Sequence, residues 1–244
     1  MKKLLYWIPT IPFMLSFGLL LCIFHVLQVV ALKLGYHPHN KTVNVMALFL
    51  NLNLMWLGSI VKFKNLAGEL PQDKPMIIIS NHQSMFDITA INWILRKHHP
   101  KFISKKSLAF GIPSVSYNIR YGGSIYIERN KREEALEKIS KFNKYLNDNN
   151  RAGVIFPEGT RTKDGKLLPF KTKGALSMLE ELPTATIIPV VMKGYWQIEK
   201  YRLKPIPFGL NLSCTILPAI DKTNKSNLEV LKEVEETIGK YYYN

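Results

Sequence analysis

Hydrophobic and polar positions divide the chain into an apolar N-terminal part and a longer part of mixed pattern. Residues 4–34 are almost uninterruptedly apolar, with Lys33 as the only charge, whereas the apolar run of residues 43–61 is interrupted by three asparagines. About 20 apolar residues suffice for a helix to span a bilayer, but asparagine is costly in lipid unless it has a partner. The pattern predicts two membrane-associated helices, arranged either as a spanning hairpin or as a half-buried pair in one leaflet.

The residues that connect and flank these two helices predict a turn but do not determine how the helices are oriented in a membrane. Residues 35–41 are rich in Gly, Pro, His and Asn, which predicts a polar turn. Lysines flank both apolar runs, so the positive-inside rule does not choose an orientation. A signal peptide would have a shorter apolar region and a small-residue cleavage site. We therefore favour an uncleaved anchor.

From residue 62 onward, short apolar runs alternate with amphipathic ones. Helices are predicted after Ser84 and over residues 131–147, 172–182 and 227–239. Strands are predicted at residues 76–80, 102–104, 124–128, 153–156, 186–191 and 210–217. This alternation is typical of an α/β fold whose mostly parallel or mixed sheet has helices on both faces. We expect an N-terminal membrane-associated helical hairpin at residues 1–64 and an α/β domain at residues 65–244.

The amino-acid composition limits the classes of partner that the chain is expected to bind. The 244-residue chain has 33 Lys and Arg against 18 Asp and Glu, giving a net charge of +15. Such a charge favours polyanions, which include nucleic acid, anionic lipid and phosphate-bearing substrates. The two cysteines, Cys22 and Cys214, predict neither a disulfide framework nor a structural zinc site. No histidine pattern indicates a metal site.

Candidate chemistry follows the most strand-like run, residues 76–80. His82 comes at the expected carboxyl end of this strand, and Asp87 follows five positions later. If His82 lies in the turn and Asp87 in the first helical turn, the carboxylate can reach one ring nitrogen. The other nitrogen is then free to act as a base. The alternative is that Ser84 caps the helix, Asp87 completes a capping box, and His82 is only a turn residue.

Three further stretches follow predicted strands. Arg129 offers a charged fork suited to phosphate or carboxylate, although a solvated arginine at a basic helix start is an alternative. The run at residues 156–162 contains Gly159, which permits close backbone approach, and donors that could hold phosphate, but it is also good turn chemistry. Pro189 lies inside an apolar strand, where proline marks an edge, a bulge or a strand end.

Together these stretches resemble the glycerolipid acyltransferase family, which includes the 1-acyl-glycerol-3-phosphate acyltransferases. That family has four ordered blocks: Asn-His-x4-Asp, Gly-x-x-x-Ile-x-Arg, Phe-Pro-Glu-Gly-Thr-Arg and Ile-Pro-Val. Here they are found at residues 81–87, 123–129, 156–161 and 188–190, over about half the chain. A lysine-bearing segment at residues 104–108 is also similar. Glu128, where the family more often has Asp, is a conservative departure.

The resemblance implies transfer of a fatty acyl group from acyl-CoA or acyl carrier protein to the free hydroxyl of 1-acyl-glycerol-3-phosphate. His82 would be the general base and Asp87 its orienting carboxylate. The acceptor's phosphate end would be bound by a second set of residues. These are Lys105, Arg129, Glu158, Gly159, Thr160 and Arg161. The resemblance implies no metal and no cofactor beyond the acyl donor, and we expect a membrane protein whose active domain faces the cytoplasm.

The sequence leaves two alternatives open. The acceptor could be another lysolipid, such as a lyso-ornithine lipid or a different lysophospholipid, because headgroup selection depends on loops that the sequence does not specify. The chain could instead be a non-enzymatic protein that uses its +15 charge to bind membrane surfaces or nucleic acid. The scattered placement of its basic residues argues against nucleic acid as a partner.

Overall fold

A computed structural model of the chain describes residues 2–128 and 131–244. In that part, seven strands form one mixed sheet in the order β1-β7-β6-β2-β5-β3-β4. The strands are β1 (Val61–Asn65), β2 (Met76–Ser80), β3 (Lys101–Lys105), β4 (Ile125–Ile127), β5 (Ala152–Ile155), β6 (Thr186–Lys193) and β7 (Leu212–Ile216). From β6 to β4 all neighbours are parallel, while β7 runs antiparallel to β6 and β1 runs parallel to β7. The predicted α/β fold with a mixed sheet is confirmed.

Helices cover both faces of this sheet. They are α1 (Lys2–Leu5), α2 (Trp7–Lys33), α3 (Tyr36–Asn53), α4 (Asp87–Ile94), α5 (Val115–Tyr121), α6 (Arg132–Asp148), α7 (Thr172–Glu181) and α8 (Asn227–Tyr243). Strand β2 is buried along its whole length, and its side chains alternate between two cores. Ile78 packs with residues of α2 and α4 on one face, whereas Ile77 and Ile79 pack with α6, α7 and α8 on the other.

The apolar N-terminal run forms α2, which packs along α3. Residues Lys3–Lys33 are long and apolar enough to cross a membrane, and they are the single such segment in the described part of the chain. The asparagines of the second run have partners, as they must if the helix packs against neighbours. Asn53 Nδ2 donates to the Phe13 carbonyl of α2 at 3.1 Å, and Asn51 Nδ2 donates to the Thr89 carbonyl of α4 at 3.0 Å.

The N-terminal boundaries differ from those predicted. The polar turn expected at residues 35–41 is wrong, because α3 already begins at Tyr36 and only Leu34 and Gly35 separate the two helices. Pro38 lies in the first turn of α3, where its missing N–H breaks no helical hydrogen bond. The second apolar run leaves the helix after Asn53. A 3₁₀ turn follows, and then strand β1.

Strand β1 spans the predicted domain boundary. It begins at Val61 and pairs with β7, so the sheet extends into the segment that was assigned to the membrane-associated part. The division into residues 1–64 and 65–244 stays a prediction.

Pro189 lies in β6, between β2 and β7, at a place where the ladder is interrupted. Val190 pairs with Ile216, and Ile187 bridges to Ile220, so three steps along β6 correspond to four along its partner. This extra residue is a bulge directly opposite the proline. The Pro189 carbonyl still accepts from the Leu217 N–H at 2.9 Å. A bulge was among the predicted contexts.

Candidate active site

The loop after β2 brings a histidine and a carboxylate together. Asn81 fixes the start of this loop, because its side chain exchanges two hydrogen bonds with the backbone of Met192 in β6, at 2.8 and 2.9 Å. His82 follows, and its Nδ1 lies 2.8 Å from Asp87 Oδ2. The His82 ring also stacks on Phe156, which follows β5, with ring centroids 4.2 Å apart. The imidazole is therefore held by a hydrogen bond at one edge and by an aromatic ring on one face.

Asp87 also organises the backbone of the loop. Its Oδ2 accepts from the N–H groups of Gln83 at 2.6 Å and Ser84 at 3.0 Å. The predicted N-cap at Ser84 is wrong, because α4 begins at Asp87 with Phe86 at the N-cap position and no side-chain cap. The carboxylate thus both orients the imidazole and supports the loop, whereas the alternative in which Ser84 caps the helix is not found. An ionised Asp87 requires the proton on Nδ1, which leaves His82 Nε2 as the free base.

His82 forms part of the wall of a cavity of about 1040 Å³. The lining includes apolar side chains, among them Phe102, Leu108 and Ile139. It also includes four cationic side chains, which are Lys105, Arg161, Lys171 and Lys173. No Asp or Glu occurs among the lining residues that the structure describes. The cavity therefore suits a ligand with an anionic group and an apolar portion.

Glu158 stabilises the loop that carries His82. Its Oε1 accepts from the His82 N–H at 3.1 Å, and the adjacent segment returns a hydrogen bond from the Thr162 N–H to the His82 carbonyl at 3.0 Å. The carboxyl is only 1% exposed. Burial raises the pKa of Glu158 to about 7, against the opposing effect of the backbone N–H groups of His82 and Leu168. Near neutral pH this carboxyl is therefore poised between its two protonation states.

Arg161 is held by an acid that sequence reasoning missed. Its Nη1 lies 2.6 Å from Glu199 Oε1. The same oxygen accepts from the Ser84 hydroxyl at 3.0 Å and from the Met85 N–H at 2.8 Å. Glu199 thereby joins the loop of His82 to the loop of Arg161. It belongs to no motif and lies 38 residues beyond Arg161, so only the tertiary structure reveals it.

The C-terminal helix contributes a second missed contact. Gln83 Nε2 donates to the Tyr242 hydroxyl at 2.7 Å, and Gln83 Oε1 accepts from the Tyr195 N–H at 2.9 Å. The Tyr242 hydroxyl donates to the Gly165 carbonyl at 2.5 Å. No signal in the sequence near Tyr242 marks this role.

The predicted site residues are distributed around the cavity as follows. Lys105, Gly159, Thr160 and Arg161 line it together with His82. Gly159 has a positive φ of 67°, which glycine adopts without strain. Glu158 lies behind the loop rather than in the lining. Arg129 lies outside the described residues, so its predicted role stays a prediction.

Comparison with known proteins places this site in a family. The sequence profile described as Acyltransferase matches residues 62–193. The chain belongs to this acyltransferase family. The match covers all of β2 to β6, and it includes the motif residues described above.

Curated relatives of this acyltransferase carry a narrower description. This chain is 34% identical over 206 residues to a 1-acyl-sn-glycerol-3-phosphate acyltransferase of Saccharomyces cerevisiae. The alignment covers 84% of this chain and 60% of the yeast protein. It is 33% identical over 144 residues to the protein of the same description from Haemophilus influenzae, covering 56% and 58% of the two chains. The alignments thus span about three fifths of these relatives.

A solved structure shares the whole fold. The 1-acyl-sn-glycerophosphate acyltransferase PlsC of Thermotoga maritima superposes with a TM-score of 0.77 at 23% sequence identity, covering all of this chain and 97% of that one. This likeness extends the agreement from the family segment to the helices before and after it.

Proposed function

We propose that this acyltransferase moves a fatty acyl group from acyl-CoA or acyl carrier protein to the free hydroxyl of 1-acyl-glycerol-3-phosphate, giving phosphatidate for phospholipid biosynthesis. The observation that carries the proposal is the His82–Asp87 pair at the wall of a cavity that is lined by both cationic and apolar side chains. The descriptions of the curated relatives support this acceptor.

The chemistry needs one base. A lipid hydroxyl is a poor nucleophile, so His82 Nε2 removes its proton as the oxygen attacks the thioester carbonyl. The buried Asp87 carboxylate stabilises the imidazolium that forms. Collapse of the tetrahedral intermediate breaks the C–S bond, and the imidazolium returns the proton to the departing thiolate. The hydroxyl belongs to the substrate, so this route forms no acyl-enzyme.

The cationic side chains of the cavity suit the phosphate of the acceptor. Arg161 and Lys105 line the same cavity as His82, and Arg161 is already oriented by Glu199. With the phosphate held by these cations, the glycerol hydroxyl would approach His82 and the acyl chain would contact the apolar lining residues. Lys171 and Lys173 add charge to the lining and extend the set of candidate acceptor-binding residues.

The amphiphilic acceptor and product also account for α2. Its apolar side chains are largely exposed, with Leu15 at 70% and Val26 at 62%, and such a surface favours lipid over water. We expect the protein to be bound to a membrane that contains anionic lipid, with the α/β domain on the cytoplasmic side. Lipid substrates could then reach the cavity without leaving the bilayer surface.

An acceptor panel tests the proposal. Purified protein is given labelled acyl-CoA or acyl carrier protein and, in turn, lysophosphatidate, a neutral lysophospholipid and a lyso-ornithine lipid, with His82→Ala as control. We expect the highest kcat/KM with lysophosphatidate and loss of transfer in the variant. Preference for another lysolipid would replace the acceptor, and transfer by His82→Ala at the native rate would remove the proposed base.

A further inference from the structure

A second group of cationic and protonatable side chains lies at the opposite edge of the sheet. Lys101 begins β3 and Arg151 immediately precedes β5. Both cations lie over the ring of Tyr36, the first residue of α3, with Lys101 Nζ 4.9 Å and Arg151 Cζ 4.7 Å from the ring centroid. The Tyr36 hydroxyl is 3.0 Å from His99 Nδ1. We call these four residues the Tyr36 cluster.

The cations of the Tyr36 cluster have no acidic counter-charge among the described residues. Lys101 is only 4% exposed, yet neither it nor Arg151 forms an ion pair with any acid in the described part of the chain. Arg151 Nε is buried without a hydrogen-bond partner among the described residues. A buried cation without a counter-charge is costly. Burial, followed by the charge of Arg151, lowers the pKa of Lys101 to about 7.

Neighbouring histidines add further ring nitrogens to the cluster. His37 and His99 rings lie near each other, with centroids 6.1 Å apart, and His39 Nε2 is buried without a partner among the described residues. His99 also has a positive φ of 49°, a conformation that costs energy for a residue with a side chain. His37 is exposed and Tyr36, His99 and Arg151 are half-buried, so the cluster is open to solvent on one side.

We infer that the Tyr36 cluster is a second anion site, which binds a phosphate group with Lys101 and Arg151 as its cations. A bound phosphate would supply the missing counter-charge and accept from the Arg151 guanidinium, the Lys101 ammonium and a ring nitrogen. This site is distinct from the proposed acceptor site. Arg151 and Phe156 flank β5 and are five steps apart along the chain, so the two edges are about 17 Å apart at about 3.3–3.4 Å per step.

The position of the cluster indicates where the phosphate could come from. The apolar segment Lys3–Lys33 ends three residues before Tyr36. If α2 lies in lipid, the cluster is at the level of the headgroups, where phosphates are abundant. A lipid headgroup and free phosphate present the same chemistry, and the experiment below separates them.

Histidine ring NMR tests the site directly. Protein with labelled histidine rings, in a phosphate-free non-ionic detergent, is titrated with inorganic phosphate, and the His37 and His99 signals are assigned by single His→Gln variants. We expect these signals to shift saturably in native protein and in Arg161→Gln, which weakens the proposed acceptor site. In Lys101→Met the apparent affinity should fall by about tenfold or more, the loss expected for one charge-assisted hydrogen bond. Lys232→Gln, a distant exposed change, should leave it unaltered.

The controls keep each result decisive. If Lys101→Met fails to fold, Arg151→Gln takes its place in the same titration. Repeating the titration with vesicles of phosphatidate and then of phosphatidylcholine shows whether an anionic headgroup is preferred to free phosphate. Ring signals that do not move with phosphate or with phosphatidate vesicles, or that move equally in native protein and in the Lys101 and Arg151 variants, would overturn the second site. Because Arg161→Gln alters only the proposed acceptor site, failure of one site is distinguishable from failure of the other.

Discussion

The contact between His82 and Asp87 predicts that a substitution of Asp87 lowers kcat without unfolding the protein. In Asp87→Asn, the amide keeps the volume and one acceptor oxygen, but its NH₂ group favours the wrong tautomer of the imidazole. We expect kcat to fall by about 10²–10⁴-fold. Asp148→Asn, which loses only an exposed ion pair with Lys144, is the matched control. Native-like kcat in Asp87→Asn, measured on protein with an unchanged circular dichroism spectrum, would contradict the orienting role.

Glu158 predicts a pH dependence of stability. Its pKa is raised from the ordinary value of 4.5 to about 7 in the folded protein, so the folded state retains a proton that the unfolded state releases. The free energy of unfolding should therefore fall as pH rises from about 4.5 to about 7, by at most on the order of 3 kcal/mol from this group. Glu158→Gln keeps an acceptor for the His82 N–H and cannot ionise.

Denaturant unfolding at several pH values measures this effect. We expect the slope between about pH 4.5 and 7 to be shallower in Glu158→Gln than in native protein. Glu133→Gln, at an exposed position of α6, should keep the native slope. Equal slopes in native protein and in Glu158→Gln would show that Glu158 keeps an ordinary pKa despite its burial.

At the level of single residues, the sequence indicated those that lie in a motif and missed those that arrive by folding. His82, Gly159 and Arg161 follow strands whose carboxyl ends meet at one edge, so their proximity follows from parallel pairing. Glu199 and Tyr242 reach the same loop from distant parts of the chain. No local pattern distinguishes them from other surface acids and aromatic residues.

Among the elements, the junction between α2 and the sheet domain depends on a buried hydroxyl. Thr10 Oγ1 of α2 accepts from the Ile206 N–H at 2.9 Å, and the side chain is fully buried. Thr10→Val keeps the shape but leaves that N–H unsatisfied, which should cost about 1–3 kcal/mol of unfolding free energy. Thr42→Val is the control, because the Thr42 hydroxyl bonds only to the Pro38 carbonyl of its own helix. Equal melting temperatures for the two variants would show that α2 is not held at this point.

Strand prediction succeeded for β2 to β7, including edge strand β4, and missed only edge strand β1 among the described residues. The buried run of β2 was predicted with its observed bounds because all five residues are apolar or small. Edge strand β1 alternates Val61 and Phe63 with lysines, and much of it is exposed, so its pattern merged with the preceding apolar run. The seven-residue helix α5 is too short to show a helical period. Short or exposed elements depend on tertiary contacts that periodicity does not record.

Over the whole molecule, the net charge of +15 is only partly explained by the cavity. Four of the cations line the cavity around His82, and two more belong to the Tyr36 cluster. The first group lines a cavity, and in the second group Lys101 is buried and Arg151 is half-buried. A concave cavity lined by cations concentrates the positive electric field on a small anionic group. Duplex nucleic acid instead requires an extended surface of phosphate contacts. The distribution of charge therefore favours phosphate-bearing small molecules or lipids over nucleic acid.

Membrane association should depend on the exposed apolar side of α2 more than on charge. Each buried Leu or Val side chain contributes about 1.5–3 kcal/mol, so Leu15→Gln combined with Val26→Gln should lower the vesicle-bound fraction at least tenfold. Leu66→Gln combined with Leu228→Gln removes two exposed apolar side chains elsewhere and is the matched control.

Flotation with vesicles containing phosphatidate, at low and at high salt, measures the fraction of protein bound to lipid. If the α2 variant floats as well as the control at low salt and both are released at high salt, the basic surface rather than α2 holds the protein on lipid. If only the α2 variant stays in solution at both salt concentrations, the apolar side of the helix holds the protein on lipid, and the contribution of the basic surface is small.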